Sequence, residues 1–181
     1  MSTPLQVRTI NLTEAEVEAT KRFAAWRNDP KIGRVPNYRI CDEDDFKLHL
    51  VGVRSEYAVS KYCRVPFNLF IDLGGDNNAP DLWVGKRSVQ VKCALYEPPI
   101  LKFNSLEEFR QDLAVLTTAP AENEIKLYGW ITRQGFQARY KTKDFGYGLR
   151  CTVGIEELLP MPYLKSEMFN EQMAAIERTA K

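Results

Sequence analysis

A Pro80-Asp81 pair followed on the same stretch by Gln90-Val91-Lys92 is the part of this sequence whose residue types could do chemistry. Side chains alternate faces along a strand, so Gln90 and Lys92 share one side while Val91 enters the opposite layer. If Leu82–Val84 pairs with Ser88–Cys93 through a tight turn, Asp81 lies at the open end of that hairpin, its carboxylate close to Gln90 and Lys92. An acid, an amide oxygen and an ammonium meeting there can hold a hard divalent ion, Mg2+ or Mn2+. Such an ion needs only one or two carboxylates when water and a substrate phosphate fill the other positions. The ion would polarise a scissile phosphate, while Lys92 would orient the attacking water and steady the developing charge. Glu56, in a helix-patterned segment upstream, adds a second acid if its face turns toward the hairpin. The same residues have a plainer reading. Asp81 can start a turn, Gln90 and Lys92 can sit on the wet face of a half-exposed strand, and Glu56 can face solvent. Spacing alone leaves both readings open.

Other chemistries find little material. The four cysteines, Cys41, Cys63, Cys93 and Cys151, are scattered without a C-x-x-C, and His49 is the only histidine. Zinc sites draw their ligands from closely spaced pairs, so zinc is not expected. The lone thiols read as small buried hydrophobes of a reducing cytosol. A serine or cysteine nucleophile would have to work through His49, which has no nucleophile motif beside it. No G-x-G-x-x-G or Walker pattern occurs, so no nucleotide cofactor is expected. With Lys+Arg 25 against Asp+Glu 24 the chain is no overall polycation, although a local basic stripe remains possible. Arg139-Tyr140-Lys141-Thr142-Lys143 is the densest basic run; Lys86-Arg87 and Lys61 are further candidates for phosphate contact. Tyr140, Phe145 and Tyr147 are interleaved as stacking surfaces. A solvated loop is the alternative for that run.

The elements that must position these groups can be read from periodicity. With 181 residues, 44% hydrophobic, the chain fits one domain over 1–181. Mean hydropathy is −0.37, and no apolar run is long enough for a membrane span. No secretory signal opens the sequence, so a cytoplasmic protein is expected. Thr13-Glu14-Ala15-Glu16 forms a capping box ahead of a helix over about 13–28, which Asp29-Pro30 stops. Lys31–Ile40 reads as a loop. The acidic run Asp42–Asp45 suits the start of a second helix that reaches Cys63. Phe67–Leu73, Leu82–Val84 and Ser88–Ala94 read as strands, the last two forming a hairpin. Ser105-Leu106-Glu107-Glu108 has the form of a second capping box, here opening a short helix before a strand that begins near Leu113. Ile125–Thr132 reads as a strand, Thr132–Tyr140 as a short helix, Arg150–Val153 as a strand and 166–180 as a terminal helix. Trp83 and Trp130 are expected in the core. This order predicts an α/β (α+β) fold with a mixed sheet flanked by helices.

The helix Gly52-Val53-Arg54-Ser55-Glu56-Tyr57-Ala58-Val59-Ser60-Lys61-Tyr62, with Pro80-Asp81 and Gln90-Val91-Lys92 behind it, resembles the PD-(D/E)XK nuclease superfamily. More narrowly, the chain is similar to small phage and prophage proteins of that group. Phe23-Ala24-Ala25-Trp26-Arg27, Gly129-Trp130-Ile131 and Leu159-Pro160-Met161 extend the likeness over about 12–161, with the core at 45–161. The resemblance implies a restriction-endonuclease-like fold and a Mg2+- or Mn2+-dependent phosphodiesterase site at one edge of the sheet, made of Glu56, Asp81, Gln90 and Lys92. It implies DNA as the partner, a host or phage protein as another, and residence in an infected or prophage-bearing bacterial cell. Gln90 departs from the pattern, which has Asp or Glu at that position. A neutral amide supplies an oxygen without charge and weakens ion binding. The alternative is therefore a degenerate module of the same fold that binds nucleic acid or a protein without cutting.

Overall fold

The computed structural model describes residues 6–27, 43–67, 79–146 and 148–166, with the side chains of 43–45 left out. Five strands, β1 (Arg8–Asn11), β2 (Leu82–Val84), β3 (Arg87–Ala94), β5 (Leu113–Ala121) and β6 (Glu124–Thr132), form a mixed sheet in the order β1-β6-β5-β3-β2. Three more, β4 (Leu101–Phe103), β7 (Lys141–Asp144) and β8 (Leu149–Val153), form an antiparallel sheet in the order β4-β8-β7. The α/β class read from the sequence, with helices against a mixed sheet, is what the chain adopts.

The hairpin of β2 (Leu82–Val84) and β3 (Arg87–Ala94) forms as expected, with Leu82 opposite Val89. Its two-residue turn places Gly85 at a φ of 63°, a conformation that glycine adopts without a Cβ clash. From β3 the chain crosses to β5 (Leu113–Ala121), which runs parallel to it. A parallel neighbour needs such a crossover. Here it is made by β4 (Leu101–Phe103) and a 3-10 turn (Leu106–Glu108). The run Leu113-Ala114-Val115-Leu116 is continuously buried because β5 is covered on both faces. It returns through β6 (Glu124–Thr132), whose outer edge is covered by β1 (Arg8–Asn11).

The helix α1 (Glu14–Arg27) opens with the expected capping box: the Thr13 amide donates to Glu16 Oε2 at 2.7 Å, and the Glu16 amide donates to Thr13 Oγ1 at 3.3 Å. The helix α2 (Glu43–Cys63) ends where Arg64 turns to a φ of 57° and the Val65 amide reaches back to the Ser60 carbonyl at 3.1 Å. That is a Schellman closure with arginine in glycine's usual place. Ala58, Val59 and Cys63 of α2 pack on Val89, Leu113 and Val115, with Val91 beside them.

On the other sheet face, β8 (Leu149–Val153) and α3 (Arg133–Arg139) help enclose an aromatic group. Phe103 stacks on Phe109 at 4.6 Å, and both meet the Phe136 ring edge-on at 5.1 and 5.5 Å. The Thr132 hydroxyl caps α3 by accepting from the Gly135 amide at 2.9 Å. A Cβ at Gly135 would lie 3.0 Å from that hydroxyl, so a side chain there would push on the cap by a few tenths of an ångström.

Several expectations need correction. Trp130 is fully buried, but Trp83 is 52% exposed, because it lies across from Ser88 on the face of the hairpin that the α2 cluster does not cover. Ser105 makes no side-chain cap; Glu108 instead accepts from the Asn104 amide at 2.5 Å, one residue earlier than a capping box would have it. The basic run 141–143 is not a loop but part of β7 (Lys141–Asp144), paired with β8. The expected loop Lys31–Ile40, Asp42, nearly all of the expected Phe67–Leu73 strand and all but the first residue of the expected terminal helix 166–180 lie outside the described residues; 161–166 are helical.

Candidate functional site

Asp81 stands immediately before β2, and continuing the hairpin register sets it opposite Gln90. Its own amide donates to the Val89 carbonyl at 3.0 Å, which fixes its backbone to β3. The carboxylate then folds back so that Oδ2 accepts from the Val91 amide at 2.6 Å. The acid thus takes the β3 amide that lies just past the end of the short strand β2. Burial pushes the Asp81 carboxyl up, against the Val91 amide and the charges of Arg27 and Lys92, which pull it down.

Gln90 and Lys92 share a face of β3, as alternation requires. In the parallel register they stand beside Ala114 and Leu116, on the aromatic side of the sheet. The Gln90 Oε1 atom is buried and has no hydrogen-bond partner. A buried amide oxygen without a donor is unusual, because desolvating it costs about 1–3 kcal/mol. The Lys92 ammonium donates to Glu108 Oε1 at 2.8 Å and lies 4.8 Å from the centre of the Phe103 ring. Burial raises the Glu108 carboxyl, yet the Lys92 hydrogen bond and charge and the Asn104 amide outweigh it and hold it low.

Glu56 sits elsewhere. Its helix packs on the opposite sheet face, with Val91, and its two oxygens accept from Arg27 Nη1 at 3.1 and 2.9 Å. The pair is largely buried, with side-chain exposures of 17% and 11%. The four predicted residues therefore divide: Gln90 and Lys92 on one face, Glu56 with Arg27 behind the other, and Asp81 at the strand end between them. Asp81 feels both sides, since Arg27 and Lys92 each act on its charge. A cation approaching Glu56 would have to displace a guanidinium.

The predicted basic residues also separate. Lys61 donates to Glu16 Oε2 at 2.7 Å and to the Asn11 carbonyl at 3.1 Å, so it ties α2 to α1 and β1. Lys86 and Arg87 lie at the closed end of the hairpin, away from Lys92. Beside them the Ser88 amide and hydroxyl, chief among the causes, hold the Asp112 carboxyl low. Arg139 pairs with Glu157 at 3.3 Å. Lys141 and Lys143 project from exposed β7, and Lys143 lies 5.3 Å from the Phe145 ring centre.

Sequence reasoning missed the groups that surround Lys92. A cavity of about 150 Å3 is lined by Lys92, Lys102, Phe103, Asn104, Glu108 and Arg150, among others. The Ser-x-x-Glu spacing places Glu108 in a helix cap and gives no hint of a lysine partner. Lys102 of β4 and Arg150 of β8 carry no motif, and only the pairing of the two strands brings them together.

Among the described residues, no three His, Cys, Asp or Glu side chains group as a metal cage. Of the predicted ligands, Asp81 offers a buried carboxyl and Gln90 an oxygen without a donor, both of the oxygen chemistry that a hard ion takes. Among the described residues no helix is long and apolar enough to cross a membrane. No family model, no curated protein and no solved structure matches this chain.

Proposed function

We propose that the protein is a Mg2+- or Mn2+-dependent phosphodiesterase acting on DNA, of phage or prophage origin, with its centre at Asp81, Gln90 and Lys92. The observation that carries this reading is the orphaned Gln90 oxygen, across from a buried carboxyl that immediately precedes the neighbouring strand and one alternation from a lysine. A buried acceptor with no donor is satisfied by a cation. Asp81 and Gln90 would hold the ion, which when bound would neutralise charge on a phosphoryl oxygen. Lys92 would orient the attacking water and meet the charge that develops on the phosphate. Glu108 holds that ammonium in place at 2.8 Å. Glu56 acts at one remove: it fixes Arg27, whose charge favours the ionised form of Asp81.

A second reading is a non-cutting module that binds DNA or a partner protein. It is favoured by the neutral amide at position 90 and by the engagement of Glu56 with Arg27. Incubation of plasmid and linear DNA with and without Mn2+, comparing the wild type with Lys92→Ala, separates the two. The phosphodiesterase predicts Mn2+-dependent cutting that the variant loses. Cutting that persists equally in the variant puts the site elsewhere, and DNA binding without any cutting selects the module.

A further inference from the structure

Around the cavity beside Lys92 the charge is strongly one-sided. Lys92 comes from β3 in the larger sheet, whereas Lys102 and Arg150 come from β4 and β8 in the smaller one; Glu108 is the carboxylate on the wall. Three cations against one acid give a lining of net positive charge, gathered from both walls of a recess of about 150 Å3. Fields of one sign concentrate where low-dielectric walls enclose them, so a compact anion is the natural occupant. At its mouth the Lys102 ammonium sits 5.3 Å from the Tyr96 ring centre and 5.0 Å from that of Phe145, and Lys143 lies 5.3 Å from Phe145. Two cations and two rings therefore cluster together, Lys102 of β4 against Tyr96 and Phe145, and Lys143 of β7 against Phe145.

We infer that this cleft seats a single strand of DNA, with one phosphate in the cavity between Lys92, Lys102 and Arg150 and unpaired bases against Tyr96 and Phe145. A recess walled by two sheets suits a flexible strand. A duplex carries its phosphates on the outside of a stiff cylinder and hides the base faces that the rings would meet. Cationic tracks with interleaved aromatic rings are the general solution for unpaired strands, since every base offers a face to stack on. The inference rests on the phosphodiesterase reading only in taking DNA as the ligand; it requires no bound metal.

The test is fluorescence anisotropy of a labelled oligo(dT) strand and of a labelled duplex, both in EDTA. Lys102→Met and Arg150→Met remove charge while keeping an aliphatic stem, and Lys21→Met on the exposed surface of α1 is the control. The expected result is tighter binding of the single strand than of the duplex, weakened at least about tenfold by each cavity variant and unchanged by the control. The one phosphate held in the cavity predicts a log–log salt slope of about −0.7 from that contact, shallower in either variant. Thermal melts of the same variants confirm that each remains folded. Equal or tighter duplex binding overturns the inference, as does wild-type affinity in folded cavity variants. Strand binding in EDTA without cutting in Mn2+ would leave the cleft standing and remove the phosphodiesterase.

Discussion

Glu16 offers a perturbation whose size can be worked out. Burial by itself raises its carboxyl, but the Lys61 hydrogen bond, the Thr13 amide, the Tyr57 hydroxyl and the Lys61 charge outweigh that and lower it from the ordinary 4.5 to about 2. At about 1.4 kcal/mol for each pH unit, that displacement sets an upper limit near 3 kcal/mol. The Lys61 side chain is 38% exposed, and solvent screening brings the net to about 1.5–2 kcal/mol. Because the folded value is depressed, the contribution is present above the unfolded value and is lost as pH falls through about 2. Less than half of it should remain at about pH 3. Glu16→Gln keeps an acceptor for the capping box and removes the charge. Urea unfolding followed by circular dichroism should show the variant about 1.5–2 kcal/mol less stable at neutral pH, with a melting point about 3–8 °C lower. The deficit should shrink by more than half at pH 3. A variant as stable as the wild type at neutral pH, or one whose deficit is undiminished in acid, would refute the reasoning. The outcome also bears on Lys61, whose charge is engaged by Glu16 rather than available to nucleic acid.

Other predictions follow from the site. Burial raises the Asp81 carboxyl, so the charged form is disfavoured as pH climbs above its ordinary value; Asp81→Asn, which still offers an oxygen to the Val91 amide, should therefore melt no lower than the wild type at neutral pH. Glu56→Gln breaks a largely buried ion pair and should lose about 3 kcal/mol by urea unfolding, an effect on folding that is separable from any on metal binding. Gln90→Glu places a charge beside the proposed ion and should tighten Mn2+ binding about tenfold by calorimetry; weaker binding would contradict the role given to position 90. Arg64→Gly relieves a left-handed backbone at the end of α2 and should gain about 0.5–1 kcal/mol, read as a higher melting point.

What the sequence disclosed was mostly local. The Thr13–Glu16 box, the Gly85 turn and the alternation of Val91 against Gln90 and Lys92 each depend on residues a few positions apart, and each stands in the structure. What it concealed depends on partners far along the chain. β7 has four exposed residues and no alternation, so its strand character comes from pairing with β8. Three-residue β4 is likewise defined by β8, and β1 by β6. The candidate site divides in the same way. The hairpin that joins Asp81 to Gln90 was legible, because a tight turn fixes its register. The partnerships of Glu56 with Arg27 and of Lys92 with Glu108 arise from the packing of α1 on α2 and from the crossover after β3, and spacing reports neither. Trp83 shows the limit of composition: a tryptophan in a strand belongs to the core only if something covers that face.

Calorimetric titration of Mn2+ into the wild-type protein and into Asp81→Ala addresses the ion site without relying on catalysis. The account predicts saturable binding of one ion in the wild type and its loss in the variant. Absence of binding in the wild type, or equal binding in a folded Asp81→Ala protein, would contradict it.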